Sequence, residues 1–300
     1  MRLLSRCAAI LITLLAALPS LSEAQALNPA FLRSTVLIAY QKGPSSFSFG
    51  SGFFIFRSTK GDGGQVLLIT NKHVLPPEGA ATSIQVRVTV ADGGTATVQG
   101  VEIPVVGSDG KYLPTVRLHP NPGFDVAAVN VTEAIVTHHI QGAWIPEGLL
   151  STPERLKNEN ITVGDEIYLL GYPNAIFDAR NISPILRTGV IATVPSEGYA
   201  FNDSLRQQFG LPDRIDGFLI DANVYPGSSG SVVILKQQAA AVGSQAAMVL
   251  SRAKKTPYIL GIVADSIPIT DHALGSTQRM GLGVVYSSEA IRTVVDSFPK

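Results

Sequence analysis

Three short segments of the 300-residue chain place a reactive polar side chain beside an apolar run: Thr70-Asn71-Lys72-His73-Val74, Gly123-Phe124-Asp125-Val126-Ala127 and Pro226-Gly227-Ser228-Ser229-Gly230-Ser231. Hydrolysis of a peptide or ester through a serine needs a base to take the hydroxyl proton, a carboxylate to orient that base, and donors for the oxyanion. His73, Asp125 and Ser229 supply residues of the required types, in the order His, Asp, Ser. Singly each is ordinary: a hydroxyl in a Gly-Ser turn, a histidine after a strand, an aspartate capping a turn. Together they predict an acyl-transfer site, and a histidine reference pKa near 6.5 predicts that activity fades below about pH 6.

Those residues need a scaffold, and the sequence offers strands. From Thr35 onward, short runs rich in Val, Ile, Phe and Tyr are punctuated by Gly, Pro, Asn and Asp, the pattern of antiparallel β structure. Val36–Tyr40, Gly52–Phe56 and Val66–Thr70 read as strands, the last two joined as a hairpin through a turn of glycines at residues 61–64. Further strands are expected at 84–90, 95–101, 126–131, 166–170, 184–194, 218–220, 232–235, 258–263 and 283–286. Residues 138–160 read as a crossover between two halves and 237–255 as an inserted loop. Helical periodicity is clear only at the end, where Ile291, Val294, Val295 and Phe298 share a face behind a Ser287 or Ser288 cap, with Glu289 in the first turn. The fold class expected is all-β: two six-stranded antiparallel barrels, at about 33–145 and 150–286, and a C-terminal helix at about 287–298. His73 and Asp125 would come from the first barrel and Ser229 from the second, with the site in the cleft between them.

Composition narrows the classes. Lys plus Arg number 23 and Asp plus Glu also 23, so there is no bulk electrostatic attraction toward nucleic acid, and none is expected as a partner. With 45% hydrophobic residues the chain can bury a core without disulfides, which matters because its single cysteine, Cys7, lies in an N-terminal address. Arg2 and Arg6 precede the apolar run Cys7–Leu18, Pro19 follows it, and Ala24-Gln25-Ala26 offers the small residues that a signal peptidase reads. Residues 1–26 are expected to be a signal peptide cleaved after Ala26, leaving a secreted or periplasmic domain at 27–300. The run is shorter than the roughly 20 residues a bilayer needs, so no stable membrane span is expected after cleavage. His138 and His139 are adjacent and point apart, with no cysteine beside them, so no metal or other cofactor is expected. His119, in a Pro-rich turn, is expected at the surface.

The motifs resemble those of the chymotrypsin-fold, trypsin-like serine peptidases, and most those of the HtrA-type protease domain. Ser51-Gly52-Phe53-Phe54-Ile55 and Leu68-Ile69-Thr70-Asn71-Lys72-His73-Val74 resemble the family's glycine-led strand and Thr-Asn-x-His motif. Asp125 before Val126-Ala127-Ala128-Val129 resembles the aspartate heading a buried strand, and Asp221-Ala222 followed by Pro226-Gly227-Ser228-Ser229-Gly230 is similar to the run around the nucleophile. Gly171-Tyr172-Pro173, Gly261-Ile262-Val263 and Gly281-Leu282-Gly283-Val284-Val285 also have counterparts. The resemblance implies a serine endopeptidase acting on protein or peptide substrates, with His73 as general base, Asp125 as its orienting group, Ser229 as nucleophile and the N–H groups of Gly227 and Ser229 as the oxyanion hole. It further implies a substrate pocket with Asn223 at its floor and Val263, Ala264, Asp265 and Ser266 in its wall.

Departures from the pattern refine those expectations. Ser228 stands where pancreatic-type enzymes carry the aspartate that receives a newly cut N-terminus, so activation by that ion pair is not expected. No PDZ module is expected after the last helix. Without a carboxylate at Asn223 a basic preference is disfavoured, and a small or medium apolar side chain is expected in the pocket. Strand alternation leaves Asp265 facing solvent, whereas its carboxylate turned into the pocket would admit a basic residue. Two rival readings follow. An α/β-hydrolase would use Ser229, Asp265 and His272, but Ser231 takes the place of the final glycine of its elbow motif. A catalytically silent or latent chymotrypsin-fold domain would instead bind peptides or protein partners in its cleft.

Overall fold

In a computed structural model of the chain, the structure describes residues 27–299 except 62, 179, 210, 238–239, 245–246, 252–255 and 272–275. The signal-peptide expectation and His272 therefore lie outside the described residues. A short helix α1 (Pro29–Ser34) leads into β1 (Thr35–Gly43), β2 (Ser46–Ser58), β3 (Gly64–Thr70), β4 (Ser83–Asp92), β5 (Thr95–Pro104), β6 (Val116–Leu118) and β7 (Ala127–Asn130). The crossover holds α2 (Thr132–Thr137), the two-residue strands β8 (Ile140–Gln141) and β9 (Ile145–Pro146), and α3 (Pro153–Asn158). The second half comprises β10 (Glu166–Gly171), β11 (Ile185–Ile191), β12 (Tyr199–Ala200), α4 (Asp203–Phe209), β13 (Arg214–Ile215), β14 (Gly217–Asp221), β15 (Val232–Leu235), β16 (Ala240–Ser244), β17 (Ala247–Ser251), β18 (Ile259–Asp271), β19 (Ser276–Ser287) and α5 (Ser288–Asp296).

Six strands close the second barrel in the order β10-β11-β14-β19-β18-β15. The first unit is larger than the six strands expected. Its path is β5-β4-β1-β2-β3-β7-β6, with β8 and β9 added from the crossover. It curls so that Val101 and Ile103 of β5 share one core with Val116 of β6. Residues 237–255, read as a loop, carry the β16–β17 ladder, and β18 and β19 run on together beyond the expected strands. Helices α1 to α4 have six or seven residues each, too short for the apolar period to register in sequence.

The uninterrupted apolar runs of β2 and β3 have a physical reason. Phe54 and Leu68 face the first barrel's interior, whereas Phe53, Ile55, Leu67 and Ile69 face a second core shared with Tyr168, Leu170, Val232, Ile234 and the last helix. Alternate residues of a strand point to opposite faces, so a strand buried on both sides must be apolar throughout. These doubly buried strands are the seam between the barrels, and the chain ends leaving that seam carry the reactive residues. Helix α5 packs there as expected, with Ile291, Val294, Val295 and Phe298 all buried. Its N-cap Ser287 accepts from the Ala290 N–H at 3.4 Å and donates to Asp216 Oδ1 at 3.0 Å. Ser287→Ala removes both bonds and is expected to lower stability by about 1 kcal/mol in chemical denaturation.

Candidate active site

Antiparallel pairing of β3 with β7 sets Thr70 opposite Ala127. Residues running off β3 and residues leading into β7 therefore leave the sheet at the same edge, which brings His73 and Asp125 together across 52 positions of sequence. The 310 turn Lys72–Val74 follows Thr70 directly and swings the imidazole toward Asp125. His73 Nδ1 lies 2.5 Å from Asp125 Oδ2, and the His73 backbone N–H donates to Asp125 Oδ1 at 3.1 Å. Both carboxylate oxygens are thus engaged by one residue. Asn71 is fully buried and donates from Nδ2 to the Asp125 carbonyl at 2.6 Å, holding the backbone of that loop. From the other barrel, Tyr286 Oη donates to the Gly123 carbonyl at 2.9 Å, and Phe124 packs against the Tyr286 ring at 5.7 Å between centroids.

Ser229 sits between β14 and β15, in a loop that docks on the first barrel. The Ser51 N–H donates to the Ser229 carbonyl at 2.7 Å and the Gly230 N–H to Val263 O at 2.9 Å. Gly230 has φ +87°, and a Cβ there would fall on the Ser51 carbonyl, so this contact requires glycine. Close behind is Thr70 Oγ1, which donates to the Ser51 carbonyl at 2.8 Å. The structure thereby seats the loop against the strand end that leads to His73. The Ser229 hydroxyl donates to Ala264 O at 2.8 Å, and among the described residues no hydrogen bond joins it to His73. Neither the Gly227 nor the Ser229 N–H is committed to a bond among the described residues, while the intervening Ser228 N–H donates to Tyr225 O at 2.9 Å.

The chain also matches a known family. The family model of the trypsin-like peptidase domain matches residues 50–243, more than half of the chain and all three segments. The chain belongs to the trypsin-like peptidase domain family. Solved structures similar to it include the active form of the Rv3671c protease from M. tuberculosis, at 16% identity and a TM-score of 0.45, covering 90% of this chain and 85% of that one. An inactive form of Rv3671c protease is similar at 16% identity and a TM-score of 0.44, covering 89% of each chain. Deg5 is similar at 16% identity and a TM-score of 0.44, covering 89% of this chain and 88% of that one. No curated protein matches the chain.

Of the residues expected at a substrate pocket, Val263, Ala264, Asp265 and Ser266 lie on β18 and Asn223 follows the end of β14. Val263, Ala264 and Ser266 are buried along β18, and Asp265 is exposed, its Oδ1 accepting the Ser266 N–H at 2.7 Å. Asn223 is exposed, with Oδ1 3.4 Å from where a Gly281 side chain would begin. Asp265 does more than face solvent, because its charge reaches His73. Burial, the largest single influence, pulls the His73 pKa down, but the hydrogen bond and charge of Asp125 and the charge of Asp265 together outweigh it and the opposing Lys42, leaving the pKa above 6.5. His119 corrects the surface expectation: it is 7% exposed, its Nδ1 accepts the Asn121 N–H at 3.1 Å and its ring packs on Phe124. The sequence reading assigned no role to Ser51, Asn71, Tyr172 or Tyr286. Ser51, Asn71 and Tyr172 stand inside recognised motifs, but hydrogen bonding across the barrels leaves no local signal. Among the described residues no three His, Cys, Asp or Glu side chains cluster to hold a metal, and no helix is long and apolar enough to cross a membrane.

Proposed function

We propose that this peptidase-family chain is a secreted or periplasmic serine endopeptidase in which Ser229 is the nucleophile, His73 the general base and Asp125 its orienting carboxylate. The observation that carries the reading is the two-point grip of Asp125 on His73, which favours the proton on Nδ1 and leaves Nε2 free to accept. Ser229 Oγ, rotating from its bond to Ala264 O between staggered rotamers, attacks the scissile carbonyl carbon while Nε2 takes its proton. The resulting oxyanion is met by the Gly227 and Ser229 N–H groups. The C–N bond then breaks as His73 returns the proton to the leaving amine. Water, deprotonated by His73, hydrolyses the acyl-enzyme, and the proton passes back to Ser229. The pocket assigned to the side chain before the scissile bond, with Asn223 at its floor and Val263, Ala264, Asp265 and Ser266 in its wall, favours a small or medium apolar residue because Asn223 carries no carboxylate.

One observation favours the second reading, a silent or latent peptide-binding domain: the Ser229 hydroxyl is held by Ala264 rather than by His73. A fluorophosphonate separates the two. Intact mass at neutral pH is expected to show one adduct on the purified protein and none on Ser229→Ala; folded protein without an adduct supports the latent domain instead.

The raised His73 pKa sets the pH dependence. Histidine accepts a proton only when neutral, so a pKa above the reference value moves the acid limb of kcat/KM upward, to a midpoint above 6.5 rather than fading only below about 6. The same shift stabilises the fold at low pH, an effect lost as pH rises through the folded-state pKa. A kcat/KM profile with its acid midpoint below 6.5 contradicts this assignment.

A further inference from the structure

We propose that Ser51 is a positioning residue, the side-chain half of a brace that fixes the peptide planes around Gly227 so that two N–H groups face the reacting oxygen; this rests on the reading of Ser229 as nucleophile. A trans peptide is planar and points each N–H opposite to the preceding carbonyl, so whatever holds the carbonyl aims the N–H. Four consecutive carbonyls are held here. Pro226 O accepts from the Asn174 N–H at 2.6 Å, Gly227 O from Ser51 Oγ at 2.8 Å, Ser228 O from the Ser231 N–H at 2.9 Å and Ser229 O from the Ser51 N–H at 2.7 Å. The four N–H groups they aim therefore alternate in fate. Ser228 and Gly230 donate within the protein, to Tyr225 O and Val263 O, and Gly227 and Ser229 are left available on the remaining side.

Ser51 is fully buried and supplies two of the four holds, on the planes that carry the Ser228 and Gly230 N–H groups. The first of these lies between the two donor planes and shares a Cα with each, so holding it limits the rotation of both. Its hydroxyl has one proton, and because Oγ already accepts the Tyr172 N–H at 2.9 Å, that proton is committed to Gly227 O. The Asn174 hold comes from a turn in which Asn174 and Ala175 both adopt left-handed backbone, with φ 51° and 54°. This turn closes on Gly227, where φ is +83° and a Cβ would lie 2.6 Å from Tyr172 O. Three of the holds are main-chain donors that substitution leaves in place, whereas alanine at Ser51 removes the fourth and also takes the acceptor from the buried Tyr172 N–H.

Ser51→Ala is expected to slow fluorophosphonate labelling of Ser229 and to lower kcat by about 10- to 100-fold, with KM within about twofold, because the freed Gly227–Ser228 plane lies between the two planes that carry the transition-state donors. Ser288→Ala is the matched control: it deletes a buried hydroxyl bonded to Ile259 O at 2.5 Å, away from this loop, and is expected to keep the wild-type labelling rate. Amide exchange by mass spectrometry across Gly227–Ser231 is expected to quicken in Ser51→Ala and not in Ser288→Ala. Wild-type labelling and exchange in a folded Ser51→Ala protein overturn the brace. If the alanine variant does not fold, Ser51→Cys, with its weak donor, takes its place and is expected to show a smaller loss in the same direction; wild-type behaviour there overturns the brace equally. Failure of the wild-type protein to label overturns the nucleophile assignment instead, and the exchange comparison then decides the brace by itself.

Discussion

Ser229→Ala and His73→Ala each lower kcat by about four to six orders of magnitude on a peptide substrate, and the double variant loses no more than the worse single one. In the proposed mechanism the two residues act in one proton transfer, so removing either removes the step. Asp125→Asn is the sharper test of geometry. Its amide oxygen still accepts the His73 backbone N–H, now held by Asp125 Oδ1 at 3.1 Å, and its amide nitrogen then faces His73 Nδ1 as a donor. The imidazole must answer with the tautomer that carries its proton on Nε2, which cannot accept from Ser229. A loss of about 10⁴-fold in kcat is expected with little change in stability. Steady-state kinetics at protein concentrations set by absorbance measure all four variants; losses that multiply in the double variant would show that His73 and Ser229 do not act together.

Arg57→Ala lowers the stability of the fold by about 3–5 kcal/mol, the largest effect expected of a residue outside the site. Arg57 is fully buried in β2, beneath the C-terminal end of α5. Nη1 donates to Val295 O at 2.7 Å and Phe298 O at 3.0 Å, Nη2 donates to Asp296 Oδ1 at 3.1 Å, and Nε lies 3.6 Å from Glu147 Oε2. The last carbonyls of a helix have no partner within it, and a cation there also meets the negative end of the helix dipole. Alanine leaves the Phe298 carbonyl without its donor and Val295 O to the Phe298 N–H at 3.3 Å, and it opens a void beneath the helix. The Asp296 pair contributes less, because that carboxylate is 52% exposed. For a chain of this size the melting temperature is expected to fall by about 10 °C. Arg57→Met, which refills the void without restoring donors, should recover part of the loss; a shift under about 2 °C for Arg57→Ala would remove the guanidinium from the support of this helix.

Burial of that arginine was illegible in the chain: the apolar run of β2 stops at Phe56, and nothing in the local pattern marks the next residue as interior. The same limit explains Ser51. Its neighbours Gly50 and Gly52 make room for Val74, Ile38 and Leu68 of the first unit, whereas the loop that the Ser51 hydroxyl meets lies 176 residues away. His119 illustrates the converse error. A Pro-rich, polar neighbourhood reads as surface, and only packing against Phe124 buries it.

What the sequence by itself determined was whatever depends on local pattern. Strand positions follow from β-branched and aromatic runs between turn residues. The last helix follows from its 3.6-residue period and Ser287 cap, and the identities of His73, Asp125 and Ser229 follow from their motifs. Only the tertiary structure decided which hydrogen bonds those residues make: the double grip of Asp125 on His73, the parking of the Ser229 hydroxyl on Ala264, and the four held carbonyls that leave the Gly227 and Ser229 N–H groups available. The physical reason is range. Backbone propensity and apolar periodicity act over a few residues and are written locally, whereas a hydrogen bond between barrels depends on register, strand closure and loop docking settled by the whole core at once.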